Sequence, residues 1–415
     1  MTSKWQFLLS RFNRQLWVRA ALYGLTGVLT ALIAALLGPY LPLENIAWLG
    51  AGAVKDLLTI MASSMLAVTT FSLSTMVSAF SAVSSTTTPR ASTLLIEDKS
   101  AQRALSTFIG AFLFSIVGLI ALSTGIYGIS GRVVMFGVTI AMIGLVVVTL
   151  LNWIDQLARF GRVGETIDRV EKVARKGLMD RARSPRMGGA AQVAVPEGAR
   201  PLLVPRIGYV CHIDVARLNA LAEAQDLHVH IDMLPGTFVH PRRPLAYIAG
   251  ECDEQACAAL LSAFTISGSR TFEQDPRFGL IVLSEITSRA LSPAINDPGT
   301  AIDVIGTVAR LLHGYAGCAP DEQDVLYPRV HVPELSADDL CDDVFRPIAR
   351  DGAAMVEVGL TLQRELGALR QAAGGRFAKP AVRHACEALQ RAEAVLAHEV
   401  DIALLRSAHE AVLQD

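Results

Sequence analysis

What this chain most lacks is charge, and the shortage is local. Only 18% of its 415 residues are Asp, Glu, Lys or Arg, against 52% hydrophobic, and mean hydropathy is +0.39. No charged side chain interrupts Ala20 to Leu43, Leu57 up to Arg90, Ala104 to Gly131, or Val133 to Ile154. Each run exceeds the roughly 20 residues that cross a hydrocarbon core. No comparable run follows residue 155. The chain is therefore expected to divide into a membrane part and a soluble part.

Other absences narrow the function. Cysteine is missing from the first 210 residues, and all six cysteines follow on the side read as cytoplasmic, so a disulfide framework is not expected. Cys252 and Cys257 stand five apart with no second pair, a poor zinc pattern, and no metal or cofactor is expected. The formal net charge is −2 and no basic stripe is interleaved with aromatics, which excludes a nucleic-acid partner. There is no GxSxG, no phosphate loop, no HExxH and no acid pair inside a span, so no enzymatic activity is read. The spans also lack the ionisable residue or inverted repeat that coupled transport usually leaves. No secretory cleavage site stands out.

The basic residues that are present set a topology. Lys4, Arg11, Arg14 and Arg19 precede the first run, Arg90, Lys99 and Arg103 separate the second from the third, and six Lys or Arg follow the fourth between Arg159 and Lys176. The opposite loops carry only Lys55 and Arg132. The positive-inside bias puts both termini in the cytoplasm, and four spans are consistent with that. Residues 3–18 read as an interfacial helix, because Trp5, Leu8, Leu9, Phe12 and Leu16 share a face away from Arg11 and Arg14.

The second run, LLTIMASSMLAVTTFSLSTMVSAFSAV at 57–83, is loaded with hydroxyls. At 100° per residue Ser63, Thr70, Ser74, Ser78 and Ser81 fall within about 80° of one another, and Ser85 extends the line. Such a stripe either packs helices together or lines a path. Beyond it Thr88-Pro89-Arg90 marks the cytoplasmic end, where Arg90 would favour anions and Glu97 and Asp98 cations.

The cytoplasmic part reads as α+β. A charged helix is expected over Trp153–Met179, then a Pro/Gly/Ala-rich linker at 182–201. Strands are expected at Leu202–Ile213, Leu227–Leu234, Thr237–His240 and Leu245–Ile248, with a helix at Val215–Gln225. His228 and His230 share a strand face, with His212 and His240 near in sequence, and are read as structural. GTFVHPRRPLAYI is similar to the strand–turn–strand of biotinyl or lipoyl carrier domains, but Arg242 and Arg243 stand where a modifiable lysine would. Helices are expected at 254–269 and Phe278–Leu291. Asp297 should cap the next helix with Pro298 in its first turn. Arg289, Asn296, Asp297 and Thr300 then form either a small-anion pocket at a helix N-terminus or a rigid corner, with Arg289 in reach of Asp297 or Asp303. Residues 338–413 read as a helical hairpin or small bundle broken at Ala373–Gly375.

RALSPAINDPGTAID at 289–303 resembles the signature of a family of bacterial predicted membrane proteins, domain-of-unknown-function family 2254. The hydroxyl-rich second span ending in Thr88-Pro89-Arg90, GYVCHIDVARLNALAE at 208–223 and PGTFVHPRRPLAYI at 235–248 fit in the same order. The resemblance implies an inner-membrane protein with a cytoplasmic domain and supplies no activity.

The expected organisation is an interfacial helix (1–18), four transmembrane helices (19–155), a connecting helix and linker (156–201), a β-rich subdomain (202–250), a helical subdomain (251–335) and a C-terminal hairpin or bundle (336–415). The functional expectation is a homo-oligomeric channel lined by the second span, its partners being lipid, copies of itself and a small ion or anionic ligand. The alternative is a membrane-anchored sensor or scaffold.

Overall fold

The computed structural model describes residues 51–96, 99–124, 129–159, 162–320 and 325–414, with Leu25, Val28, Leu29 and Ile33 as isolated helical positions. The expected interfacial helix at 3–18 and, apart from those four positions, the expected first span lie outside the described residues. Two compact units emerge, one of residues 51–85 and 92–165, the other of 166–414 with the short segment Thr86–Ala91.

In the first unit, α1 (Ala51–Thr86) is stopped by Pro89, which cannot donate into a continuing ladder and opens α2 (Pro89–Ile96). α3 (Lys99–Ser123) and α4 (Ile129–Arg159) follow. Within these helices Gly52–Ala82, Ser100–Ser123 and Arg132–Leu157 are each long and apolar enough to cross a membrane. The described residues thus hold three candidate spans where the sequence leads one to expect four. Leu58, Met61, Met65 and Met76 of α1 pack with Phe108, Phe114, Met135 and Trp153. In lipid such packing holds by close contact rather than by exclusion of water.

The second unit begins with α5 (Val163–Arg183); the charged helix expected from Trp153 to Met179 is in fact the end of α4 and a separate α5. Two sheets follow. One runs β1 (Gly189–Ala191), β8 (Tyr327–Val332), β4 (His228–Ile231), β6 (Pro244–Ala249), β2 (Arg200–Leu203); the other runs β5 (Phe238–Val239), β3 (Gly208–Ile213), β7 (Phe264–Ser267). β8 lies parallel to β1 and β4, and the remaining pairs are antiparallel. The single strand expected at Leu202–Ile213 is two, because Pro205 cannot hold a ladder and the chain changes sheet there. The helix expected at 254–269 also divides. α7 (Glu254–Leu261) ends, and the β-branched Thr265 and Ile266 join β7. α6 (Val215–Ala224) matches expectation within a residue.

Alternation puts Val229, Ile231, Ile248, Val330 and Val332 in one buried cluster with Leu218 of α6. Each such side chain contributes about 1.5–3 kcal/mol on leaving water. Six further helices complete the unit: α8 (Pro276–Ala290), α9 (Pro298–Gly317), α10 (Ala337–Asp351), α11 (Val356–Arg370), α12 (Ala378–Glu393) and α13 (Glu399–Gln414). The C-terminal stretch read as a hairpin or small bundle is therefore four helices. α8 crosses α5 at Gly279, where a Cβ would stand 2.5 Å from that of Ala174. Only glycine permits that approach.

Candidate functional site

The hydroxyl stripe lies on α1. Ser63, Thr70, Ser74, Ser78 and Ser81 are all exposed, while Val54, Leu58, Met61, Met65, Ser72 and Met76 are buried. At 100° per residue the two sets lie about 180° apart. Among the described residues, no helix of the subunit therefore consumes the stripe. Ser63 Oγ donates to the Thr59 carbonyl at 3.0 Å and Thr70 Oγ1 to the Leu66 carbonyl at 2.8 Å, a local pairing that lets a hydroxyl face apolar surroundings. The Ser85 side chain lies outside the described residues.

The corner that ends α1 belongs with the second unit. Thr88 is buried, and its Oγ1 donates to Glu285 Oε2 of α8 at 2.9 Å. Arg90 Nη1 donates to the other carboxylate oxygen, and this bond holds the guanidinium above its ordinary pKa. The charge that the sequence assigns to a pore mouth is thus engaged by Glu285. Glu285 has no local sequence pattern linking it to residue 90, so no spacing rule could have found it.

Asp297 caps α9 with Pro298 in the first turn. Its Oδ1 accepts from Thr300 N at 3.0 Å and its Oδ2 from Thr300 Oγ1 at 2.6 Å, and the hydroxyl bond is the main reason its pKa is lowered. Asn296 takes a left-handed φ of 52° and donates its N–H to the Ser292 carbonyl at 2.9 Å. Arg289 is exposed and pairs with neither Asp297 nor Asp303 among the described residues. The four residues form an exposed helix–break–helix corner whose acceptors are used locally.

A more unusual charge sits in the same unit. Arg181 is only 5% exposed. On α5 it continues the buried stripe of Ile167, Val170, Ala174 and Leu178. Its Nη2 reaches the Gln274 carbonyl and Met187 Sδ, each at 3.3 Å, while Nη1 has no partner. Burial pushes its pKa down, with Tyr315 and Asp275 opposing the shift. It borders a cavity of about 430 Å³ that Arg243, Arg270 and Arg277 also line. Nearby Asp275 is buried, accepts from Arg270 Nε at 2.7 Å and caps α8. Above it Gly236, at φ 96°, passes so close that a Cβ would meet the carboxylate at 2.4 Å. Sequence reasoning missed this cleft because its residues come from four separated stretches, at 181, 232–243, 270–277 and 333–339. The one available signal was an arginine on an otherwise apolar helix stripe.

His228 and His230 do share a face, and β8 adds His331. Its Nε2 lies 3.3 Å from His228 Nδ1, and its ring stacks on His230 at 4.5 Å between centroids. Burial first, then neighbouring positive charge, pushes both His228 and His230 down. His212 is buried on β3, in the other sheet, and His240 is exposed. Among the described residues no group of three or more His, Cys, Asp or Glu is arranged to hold a metal ion. Cys252 and Cys257 are free thiols 2.9 Å apart.

Membrane-length helices joined to a separate mixed α/β unit define a membrane protein with an extramembrane domain. The chain belongs to the family described as predicted membrane proteins, DUF2254, whose profile matches residues 13–368. It is 31% identical over 180 residues to the uncharacterized proteins Mb1321c of Mycobacterium bovis and Rv1290c of Mycobacterium tuberculosis, covering 40% of this chain and 34% of each relative. The chain thus spans about a third of the length of these curated relatives. No solved structure matches.

Proposed function

We propose that the protein is a homo-oligomeric channel of the bacterial inner membrane, with both termini cytoplasmic. Copies meet around the hydroxyl face of α1, and the second unit serves assembly or gating. One observation carries this reading: the stripe of Ser63, Thr70, Ser74, Ser78 and Ser81 points away from the subunit's own packed face. A stripe used as glue among the described helices would be buried. Neutral hydroxyl rings around an axis would offer oxygen ligands to a passing ion without a fixed charge. The Thr88-Pro89-Arg90 corner that follows α1 is bonded to Glu285 within the second unit.

A second reading is an anchored ligand sensor, favoured by the buried, incompletely partnered Arg181. Planar-bilayer recording of the purified full chain separates the two. The channel reading expects a current that Ser74→Leu reduces at least tenfold. Well-folded oligomers that carry no current across voltage, pH and salt would leave the sensor reading.

A further inference from the structure

We propose that Cys252 and Cys257 form a two-thiol redox site, which exchanges with low-molecular-weight disulfides and closes reversibly to an intrachain disulfide. The segment CDEQAC at 252–257 opens α7. Asp253 caps that helix, its carboxylate accepting from Ala256 N at 2.7 Å. Cys257 N then donates to the Asp253 carbonyl at 3.1 Å. Cys252 thus precedes the cap, and Cys257 is the fourth helical residue. Side chains at those two positions meet across a helix start, ordinarily as an apolar staple. Here both are thiols.

The contact is closer than a staple needs. The two sulfurs stand 2.9 Å apart. Closing them to a disulfide takes a further approach of about 1 Å. Both side chains are half-buried and pack on the rim of the sheet core, so a small reagent can reach them. The backbone beside them is held, because Arg200 Nη1 of β2 donates to the Cys252 carbonyl at 2.6 Å. Folding therefore presents the pair, beyond what five-residue spacing alone would do. The two other half-buried thiols are placed differently: Cys318 Sγ donates to the Ala319 carbonyl, and Cys386 Sγ faces His409 Nε2 at 3.7 Å.

Burial first, then the bond to Cys257, keeps the proton on Cys252, so Cys257 is the attacking sulfur. Its thiolate attacks one sulfur of the reagent, breaks the reagent's S–S bond and becomes a mixed disulfide as one reagent thiolate leaves. Cys257 then no longer offers Cys252 a hydrogen bond or a negative charge. Cys252 loses its proton to water and attacks Cys257 Sγ, and the second reagent thiolate leaves. Two protein thiols are oxidised, one reagent disulfide is reduced, and the two departing thiolates take up the two protons. Glu251, Asp253 and Glu254 are exposed around the pair, so an uncharged reagent approaches more readily than an anionic one. In a reducing compartment such pairs close transiently and respond to oxidation.

The test equilibrates the full chain in nanodiscs, at neutral pH, with mixtures of 2-mercaptoethanol and its uncharged disulfide. Samples are quenched in acid, alkylated with N-ethylmaleimide and mapped by peptide mass. At a ratio that leaves Cys318 modified in fewer than a tenth of chains, most chains should carry the 252–257 disulfide, and dithiothreitol should restore both thiols. The folded chain should favour that disulfide at least tenfold over the same chain in urea, where only spacing acts. Cys252→Ser should hold the reagent on Cys257 as a stable mixed disulfide. Modification of Cys318 before the pair closes would overturn the proposal. So would a pair that closes no more readily in the folded chain than in urea, or a Cys252→Ser chain whose Cys257 takes up no reagent. Sulfur chemistry is read without current, so the result does not depend on the channel reading.

Discussion

Replacing Gly236 with alanine should destabilise the second unit severely although it adds one methyl group. At φ 96° an L-residue is strained, which costs about 1–3 kcal/mol. The new Cβ would stand 2.4 to 2.6 Å from the three carboxyl atoms of Asp275, whose side chain is 1% exposed and cannot swing into solvent. If Asp275 yields, α8 loses its cap, worth about 1 kcal/mol. Its buried charge-assisted bond with Arg270 is lost too, worth about 1.5–3 kcal/mol. The sum is about 3.5–7 kcal/mol, or roughly 10–20 °C for a unit of this size. The assay must report on the right unit. Tryptophan is absent from residues 166–414, so intrinsic tryptophan fluorescence does not report on that unit. A thiol-reactive dye suits it, because Cys211 and Cys341 are buried in the second unit. Gly306→Ala is the control. Its Cβ would meet nothing nearer than 3.8 Å, and helix propensity should stabilise it by about 0.5–1 kcal/mol. A Gly236→Ala protein melting within about 2 °C of the parent would refute the reasoning.

Three further outcomes follow from the geometry. In double-mutant cycles read by melting, the buried Thr88 hydroxyl should couple to Glu285 more strongly than Arg90 does, because the Arg90 side chain is 57% exposed and such pairs are worth at most about 1 kcal/mol. The reverse order would show that the hydroxyl bond does not hold the corner. His228, His230 and His384 all have lowered pKa values, so the unfolded chain binds more protons than the folded one. Their contribution is complete above about pH 6.5 and is lost as pH falls through that value toward the depressed folded pKa. Melting temperature should drop on acidification across this window, and His230→Gln should flatten the drop; an unchanged slope would count against the stacked histidines. Finally, the Cys252 thiol is pushed up to about 12, chiefly by burial and by its bond with Cys257, so iodoacetamide at pH 8 should label it far more slowly than an ordinary thiol. Labelling at the free-thiol rate would contradict that placement.

Local rules read well wherever the decisive physics is local. Asp297-Pro298 announces a capped helix start, and charge-free length announces α1, α3 and α4 as membrane candidates. The hydroxyl stripe is visible from 100° periodicity alone, but whether it faces in or out depends on Phe108, Phe114 and Met135 on other helices. Pro205 was the available clue that Leu202–Ile213 is two strands in two sheets. β8 sits nearly a hundred residues from β4, so neither its pairing nor the stacking of His331 on His230 could be inferred from spacing. The arginine cleft was hardest. Its signal was a charged residue at an apolar-stripe position, and only the tertiary fold shows that its Nη1 lacks a partner among the described residues.

The central claim is that the hydroxyl face of α1 lines a water-filled path between copies. Charged thiol reagents applied during bilayer recording test it directly, because the chain's six native cysteines all lie after residue 210 and the parent serves as the background. A positively charged methanethiosulfonate should block current through Ser74→Cys and leave Met65→Cys, on the buried face, unaffected. No current at all, or block at Met65→Cys without block at Ser74→Cys, would contradict the account.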